Sequence, residues 1–392
     1  MKMIAMLGLC ILVSHQSAYA DVFNRSIQVG ASQTSNYFPL LKNKRIGIIT
    51  NHTGCVDNEH IVDIFLKNGF TIKKIFTPEH GFRGQADAGE YQKNSVDKKT
   101  GIPLISLYGK NKKPSPNDLD DIDILVFDIQ DVGVRFYTYI STLQYCMEAA
   151  AATNKPFIIL DRPNPNGFYI DGPICDKHCR SFVGMQPVPI VYGMTIGEYA
   201  LMLNGEGWIN APRACDLTVI KCKNYTHQDL YELPIPPSPN LKTMHSIYLY
   251  PSLCLFEGTP ISVGRGTPTP FEVFGHPKFP EPLYSFTPKS ILGAQKPPYM
   301  NQTCYGFDLH DSVQKILKKL DKKLNITWLM QAYELCPNQK TFFNSFFDKL
   351  AGTSALKEQI IVCAYEKEIR KSWKKDIERF KKIRTKYLLY KD

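Results

Sequence analysis

Past its N-terminal segment the chain contains no run of eighteen apolar residues, so no stretch of it reads as a membrane-spanning helix. The loop after its first strand-like segment is NHTGCVD, which lacks the G-x-G-x-x-G spacing that cradles a dinucleotide. There is no Walker lysine motif and no G-x-S-x-G elbow, which removes P-loop nucleotide chemistry and the common serine-hydrolase arrangement. No H-E-x-x-H pair is present, and His52, His60 and His80 with Asp128 lack an equivalent helical spacing. Neither a metal nor a cofactor is therefore expected. Internal repeats and low-complexity tracts are also missing, which excludes solenoids and long disordered linkers.

The 392 residues are enough for two packed domains. Met1-Lys2, the apolar run Ile4 to Val13 and Ala18-Tyr19-Ala20 have the layout of a cleavable export signal. Of the 11 cysteines, one (Cys10) leaves with that segment, so 11 − 1 = 10 would reach an oxidising compartment. Cys175 and Cys179, in the polar loop CDKHC, are the expected local pair. The net charge is +10. From Lys357 to Asp392 there are 12 Lys/Arg against 6 Asp/Glu, so most of the excess sits at the C-terminus. Ile369, Trp373, Ile377 and Phe380 recur there at helical spacing, which describes an amphipathic helix with a basic outer face. Such a face suits an anionic cell wall. Nucleic acid is not the expected partner, since the N-terminal signal takes the protein out of the cytoplasm.

RIGIIT (45–50), TIKKIFT (71–77), PLISLY (103–108), DILVFDI (123–129) and PFIILD (156–161) read as buried strands. HIVDIFLKNG, YTYISTLQYCMEAAAATN and TIGEYALMLNGEGW between and after them read as helices, the last opening on a Thr-x-x-Glu capping box. DLTVIKC (216–222) is the last expected strand. This alternation predicts an α/β fold, a mostly parallel sheet with helices on both faces. The four prolines within PIPPSP (234–239) cannot sit in a central strand or helix, so that stretch is a connector or the rim of a site. Beyond it the alternation stops, and a smaller C-terminal α/β domain is expected. The divisions are a signal segment over 1–20, a catalytic domain over 21–235 and a second domain over 236–392.

Ligands of open parallel sheets bind outside the carboxyl ends of the strands. Here those ends carry Asn51-His52, then Glu79-His80, then Gln130-Asp131 with Arg135 and Tyr137, then Asp161 with Arg162 and Asn164. The stretch FTPEHGFRGQADAGE adds Arg83, Asp87 and Glu90 on a Gly-rich loop. A scaffold sheet needs turn residues at these places, not such an inventory, and a polar pocket is the expected result. Abundant carboxylates with amide and aromatic neighbours fit cleavage of a glycan.

TPEHGFRGQADAGE, DIQDVGVRFYTYISTL, LDRPNPNG, SFVGMQPVPIVYGMTIGE, PPSPNL and FEGTPISVGRGTPTPFEVFG together resemble the exo-β-N-acetylmuramidases of the NamZ type, glycoside hydrolase family 171. The likeness runs from about Arg45 to the final KYLLY. It implies a Rossmann-like N-terminal domain, a smaller C-terminal domain and an active-site cleft between them. It also implies release of terminal N-acetylmuramic acid from the non-reducing end of peptidoglycan fragments. The catalytic glutamate of the family's PEHG motif falls on Glu79.

Protonating a poor leaving group calls for an enclosed carboxyl, and Phe76, Pro78 and Phe82 can enclose Glu79. His80 is placed beside it as orienter or proton relay. Glu90, Asp128, Asp131 and Glu257 are eligible as the second carboxylate, and the substrate's own 2-acetamido group is a further route. A planar guanidinium matches the lactyl carboxylate of muramic acid, so Arg83, Arg135, Arg162 and Arg265 are candidate readers, Arg265 first. Asn51, His52, Gln130, Asp131, Tyr137, Asp161, Asn164 and Glu257 complete the expected substrate contacts. Two other classes compete. One is a non-catalytic wall-binding protein; the other is a carboxylate-dependent esterase or amidase acting on wall peptides.

The N-terminal pattern carries its own test. Protein recovered from its host is expected to begin at Asp21 and to partition with the soluble exported material, as read by N-terminal sequencing of the fractions. A chain still starting at Met1 in the membrane pellet contradicts the export reading.

Overall fold

Strands buried on both faces need apolar residues at successive positions, and the central segments of this chain supply them. The computed structural model describes residues 27–79, 81–82, 94–281 and 283–392. In it, β1 (Arg45–Thr50), β4 (Thr71–Thr77), β6 (Pro103–Ser106), β7 (Ile124–Asp128), β8 (Phe157–Leu160) and β9 (Leu217–Ile220) pair in parallel. β5 (Ser95–Val96) adds an antiparallel edge, and the order across the sheet is β5-β6-β4-β1-β7-β8-β9. β2 (Cys55–Val56) and β3 (Glu59–His60) form a small hairpin after β1.

The period-two alternation of strands divides the core. Ile46 and Ile48, Ile124 and Val126, and Ile158 and Leu160 pack on Tyr37 and Leu41 of α1 (Thr34–Leu41) and on Ile61, Val62 and Phe65 of α2 (Ile61–Lys67). Ile49, Leu125, Phe127, Phe157 and Ile159 pack on the other side, against α4 (Tyr139–Ala152) and α5 (Ile196–Gly205). α3 (Pro116–Leu119) is a single turn before β7. Gly47 allows the close approach of that second layer, because a Cβ there would lie 2.7 Å from Ile122 and 2.8 Å from Leu125.

The smaller part begins with α6 (Met244–Leu253), whose start is closed by a Thr243/Ser246 capping box. Its sheet is antiparallel, in the order β10 (Val273–His276), β12 (Cys304–Asp308), β11 (Tyr284–Phe286). α7 (Val313–Leu320), α8 (Thr327–Leu335), α9 (Phe347–Ala351), α10 (Ala355–Ile361) and α11 (Glu366–Arg384) follow. α11 buries Ile369, Trp373, Ile377 and Phe380, the stripe expected from its spacing. No described helix is long and apolar enough to cross a membrane.

The chain then returns to its first sheet. The Tyr390 hydroxyl donates to Asp161 Oδ2 at 2.6 Å, and the Leu389 and Tyr390 amides donate to Glu198 Oε1. Asp392 pairs with Arg384 and with the buried ring of His227.

The expected Cys175/Cys179 pair is corrected here. The cysteines among the described residues are all free thiols. The Cys175 thiol points at the Gly184 carbonyl, 3.5 Å away, and not at Cys179. The signal segment and Cys10 lie outside the described residues.

Asp128, at the end of β7, is wholly buried and accepts from Arg162 Nε at 2.6 Å and Nη2 at 3.0 Å. Removing one partner of a buried pair strands the other charge, which costs about 3–5 kcal/mol. Arg162→Leu is therefore expected to lower unfolding free energy by about that amount, measured by urea denaturation, and Asp128→Asn in the same chain should recover much of it.

Candidate active site

Two neighbouring parallel strands deliver the first catalytic candidate and its support to one edge. β4 ends at Thr77, so Glu79 emerges at the carboxyl end of the sheet, and the Leu107 amide, just beyond β6, donates to the Thr77 carbonyl at 2.8 Å. That bond keeps the two strand ends in step and sets Tyr108 beside Glu79. The Tyr108 hydroxyl hydrogen-bonds to Glu79; burial first, then the Glu79 charge, pushes its pKa well up. From the turn before α4, Thr138 Oγ1 donates to Glu79 Oε2 at 3.0 Å. Glu79 itself is half-buried. A carboxylate held by two hydroxyl donors has a defined direction, and it faces a cavity of about 730 Å³.

The floor of that cavity is aromatic. Tyr137 and Tyr139 meet edge to face with centroids 4.7 Å apart, and both hydroxyls donate to the Pro237 carbonyl. Tyr250 of α6 continues the set, 5.9 Å from Tyr137 and 5.0 Å from Phe271. Burial raises the Tyr137 and Tyr139 pKa values strongly, so both remain neutral donors. The proline-rich connector forms part of the rim through Ser238, Asn240 and Leu241. Asn240 Nδ2 donates to the Gly293 carbonyl at 2.8 Å, tying the connector to the loop that bears Lys296.

The far wall carries an ion pair. Arg265 Nε and Nη2 lie 2.7 and 2.6 Å from the same oxygen of Glu257, and the guanidinium sits 5.0 Å over the Phe271 ring. Burial opposes the Arg265 charge, but Glu257 outweighs it and holds the guanidinium above its ordinary pKa. The Cys254 thiol donates to the other Glu257 oxygen at 3.7 Å. Lys296 also lines the cavity, exposed and with no partner among the described residues. Glu79, Glu257, Arg265 and Lys296 are the charged groups of the described lining.

Of the expected contacts, Glu79, Tyr137, Glu257 and Arg265 thus meet in one cavity, while His80, Arg83 and Glu90 lie outside the described residues. The others are corrected. Arg135 is fully buried and donates to the carbonyls of Pro173, Val188 and Leu350. Asp161 accepts from Thr195 Oγ1, the Gly197 amide and Tyr390. Asn164 donates to the Met194 carbonyl and Gln130 to those of Asp131 and Pro163. Asp131 accepts from the Tyr192 hydroxyl and the Gly133 amide, and burial lifts its pKa to about 6. His52 meets the Pro236 carbonyl. Asn51 supports the floor from behind, donating to Tyr139 Oη at 2.9 Å. Among these groups, polar residues at strand ends are consumed by the backbone of neighbouring turns, which cannot be buried unsatisfied.

Tyr108, Thr138 and Lys296 were missing from the expected set. Tyr108 lies two residues past the end of β6, as Glu79 lies two past β4, so the carboxyl-end position points to both.

Comparisons with known proteins agree with this architecture. Residues 46–245 match the model of the N-terminal domain of the exo-β-N-acetylmuramidase NamZ, and residues 248–390 match that of its C-terminal domain. The chain is 39% identical to the peptidoglycan β-N-acetylmuramidase NamZ of Bacillus subtilis, over 96% of each protein. A crystal structure of a DUF1343 family protein from Bacteroides fragilis is 51% identical and superposes with a TM-score of 0.87, covering 94% of this chain and 100% of that one. A second DUF1343 structure from the same organism is 31% identical, with a TM-score of 0.75 over 93% and 99% of the chains. With both domain models matched in order along nearly all of its described length, the chain belongs to the NamZ family of exo-β-N-acetylmuramidases.

Proposed function

We propose that the protein is an exo-acting glycosidase that releases terminal N-acetylmuramic acid from the non-reducing end of peptidoglycan fragments, with Glu79 as general acid. The observation that carries this reading is the aim of Glu79 into an aromatic-floored cavity by two hydroxyl donors, in a chain of this family. The glycosidic oxygen leaves as an alkoxide unless it is protonated, and Glu79 is the carboxyl placed to give that proton. The floor of Tyr137, Tyr139 and Tyr250 offers apolar surface to a sugar ring. The N-terminal export pattern fits the same reading, since peptidoglycan lies outside the cytoplasm.

The second group is narrowed. Asp128 is committed to Arg162, and Asp131 is buried against Tyr192, so neither lines the cavity. Glu257 does, and it is the second carboxylate of the described lining, held in place by Arg265. The substrate's 2-acetamido group remains the other route.

The lactyl carboxylate calls for an uncompensated cation. Arg265 was the expected reader, but its charge is matched by Glu257, whereas Lys296 faces the same cavity unpaired among the described residues. We assign the reading to Lys296 and the shaping of the wall to Arg265.

Glu79→Gln is expected to fold as the parent does and to lose about 10²–10⁴-fold in activity. The loss should shrink on a chromogenic muramic acid whose leaving group departs without a proton. Equal losses on both substrates would assign Glu79 another role.

Lys296→Met should narrow the preference for a muramic acid chromogen over its N-acetylglucosamine counterpart by about 10–100-fold, the worth of one charge-assisted hydrogen bond. Arg265→Met should lower activity on both alike, because it strands Glu257. If the effects are exchanged, Arg265 is the reader; if the parent enzyme shows no preference, the substrate assignment is wrong.

A further inference from the structure

Behind the cavity wall lies a second group of side chains that the hydrolysis does not use. His245 is the second residue of α6, Glu272 immediately precedes β10, and His310 follows β12. These elements are far apart in sequence, yet one ligand atom from each of the three residues falls within 4.8 Å of the others. Glu272 is buried, and its Oε1 accepts from Thr243 Oγ1 at 2.5 Å, which fixes the carboxylate plane. Its Oε2 lies 2.7 Å from His310 Nδ1 and 3.9 Å from His245 Nδ1. The two rings stand edge to face, 4.8 Å apart, and His245 Nδ1 is shut off from water with no hydrogen-bond partner.

We propose that His245, Glu272 and His310 bind a divalent transition-metal ion of the zinc class. Two imidazole nitrogens and one carboxylate oxygen supply three of four tetrahedral positions, leaving the fourth to water. Zinc takes nitrogen and oxygen ligands at about 2.0–2.2 Å. The ion therefore replaces the proton between His310 and Glu272, and His310, half-exposed, moves to admit it. His245 Nδ1 then gains a partner. Ligand type argues for this class of metal over calcium or magnesium, which take oxygen ligands. Nitrogen ligands favour the softer ion.

The position gives the metal a structural consequence. Glu272 is adjacent to Phe271, on which Arg265 rests, and His245 shares α6 with Tyr250. An ion joining α6 to β10 and β12, two of the three strands of the small sheet, holds Tyr250 and Phe271 in register as the cavity floor. This inference stands apart from the assignment of Glu79, since the triad shares no residue with the lining of the active site.

The test uses the full mature protein, dialysed against chelator and titrated with zinc chloride by calorimetry, with thermal melting in parallel. One equivalent should bind and raise the melting temperature, and cobalt should give the visible bands of a tetrahedral site. His310→Ala, at an exposed position that tolerates change, should weaken binding by at least about 10–100-fold and abolish the thermal shift. His245→Ala should do the same. Cys363→Ser, which removes an exposed thiol able to capture zinc on its own, should leave both readouts unchanged. The proposal is overturned by the absence of saturable zinc binding or by full binding in His310→Ala. Loss of binding in Cys363→Ser, or equal stabilisation by calcium, overturns it as well.

Discussion

A buried guanidinium without a carboxylate holds the two parts of this protein together. Arg135 reaches from the turn after β7 to the carbonyls of Pro173 and Val188 in one part and of Leu350 in the other. Taking a charge out of water costs several kcal/mol unless its donors are satisfied, so the three carbonyls must arrive together or the site fails. Leu350 lines the active-site cavity, and Gly352 passes so close that a Cβ there would lie 2.5 Å from the guanidinium. The width of the cavity is thus set partly by a residue that never touches its contents.

The chemistry of the cavity follows from how its charges are distributed. One carboxylate is steered by neutral hydroxyls, and the other is neutralised by a guanidinium resting on an aromatic ring. The same functional group is thus held in two different ways on opposite walls of one pocket. The lysine that remains gives the pocket its positive end, where an anionic substituent of a sugar is best accommodated.

Much of the fold was legible because β-branched runs buried on both faces admit few alternatives. RIGIIT and TIKKIFT are strands with the bounds their composition suggests, and the capping box at Thr195 opens α5 as its residues imply. The site was legible only in part. Glu79, Tyr137, Glu257 and Arg265 do meet, yet Arg135, Asp161 and Asn164 occupy the same kind of strand-end position and bind neighbouring segments of the chain instead. Nothing in a local motif separates the two uses, because the difference lies in which distant carbonyl or amide needs a partner. Thr138 sits between two tyrosines, and Lys296 between Gln295 and Pro297-Pro298; both acquire meaning only when remote strands converge.

The return of the C-terminus has a further meaning for how the molecule is divided. Sequence patterns separate the chain near residue 246 into two units. Chemically, the cut would leave Asp161 without its tyrosine donor, Glu198 without two amides and His227 with Glu198 but without Asp392. Each of those groups is buried in the first unit, and each is satisfied by the final residues of the second. The two units are separable as sequence patterns, but in the folded chain the last few residues of the second complete the buried polar groups of the first.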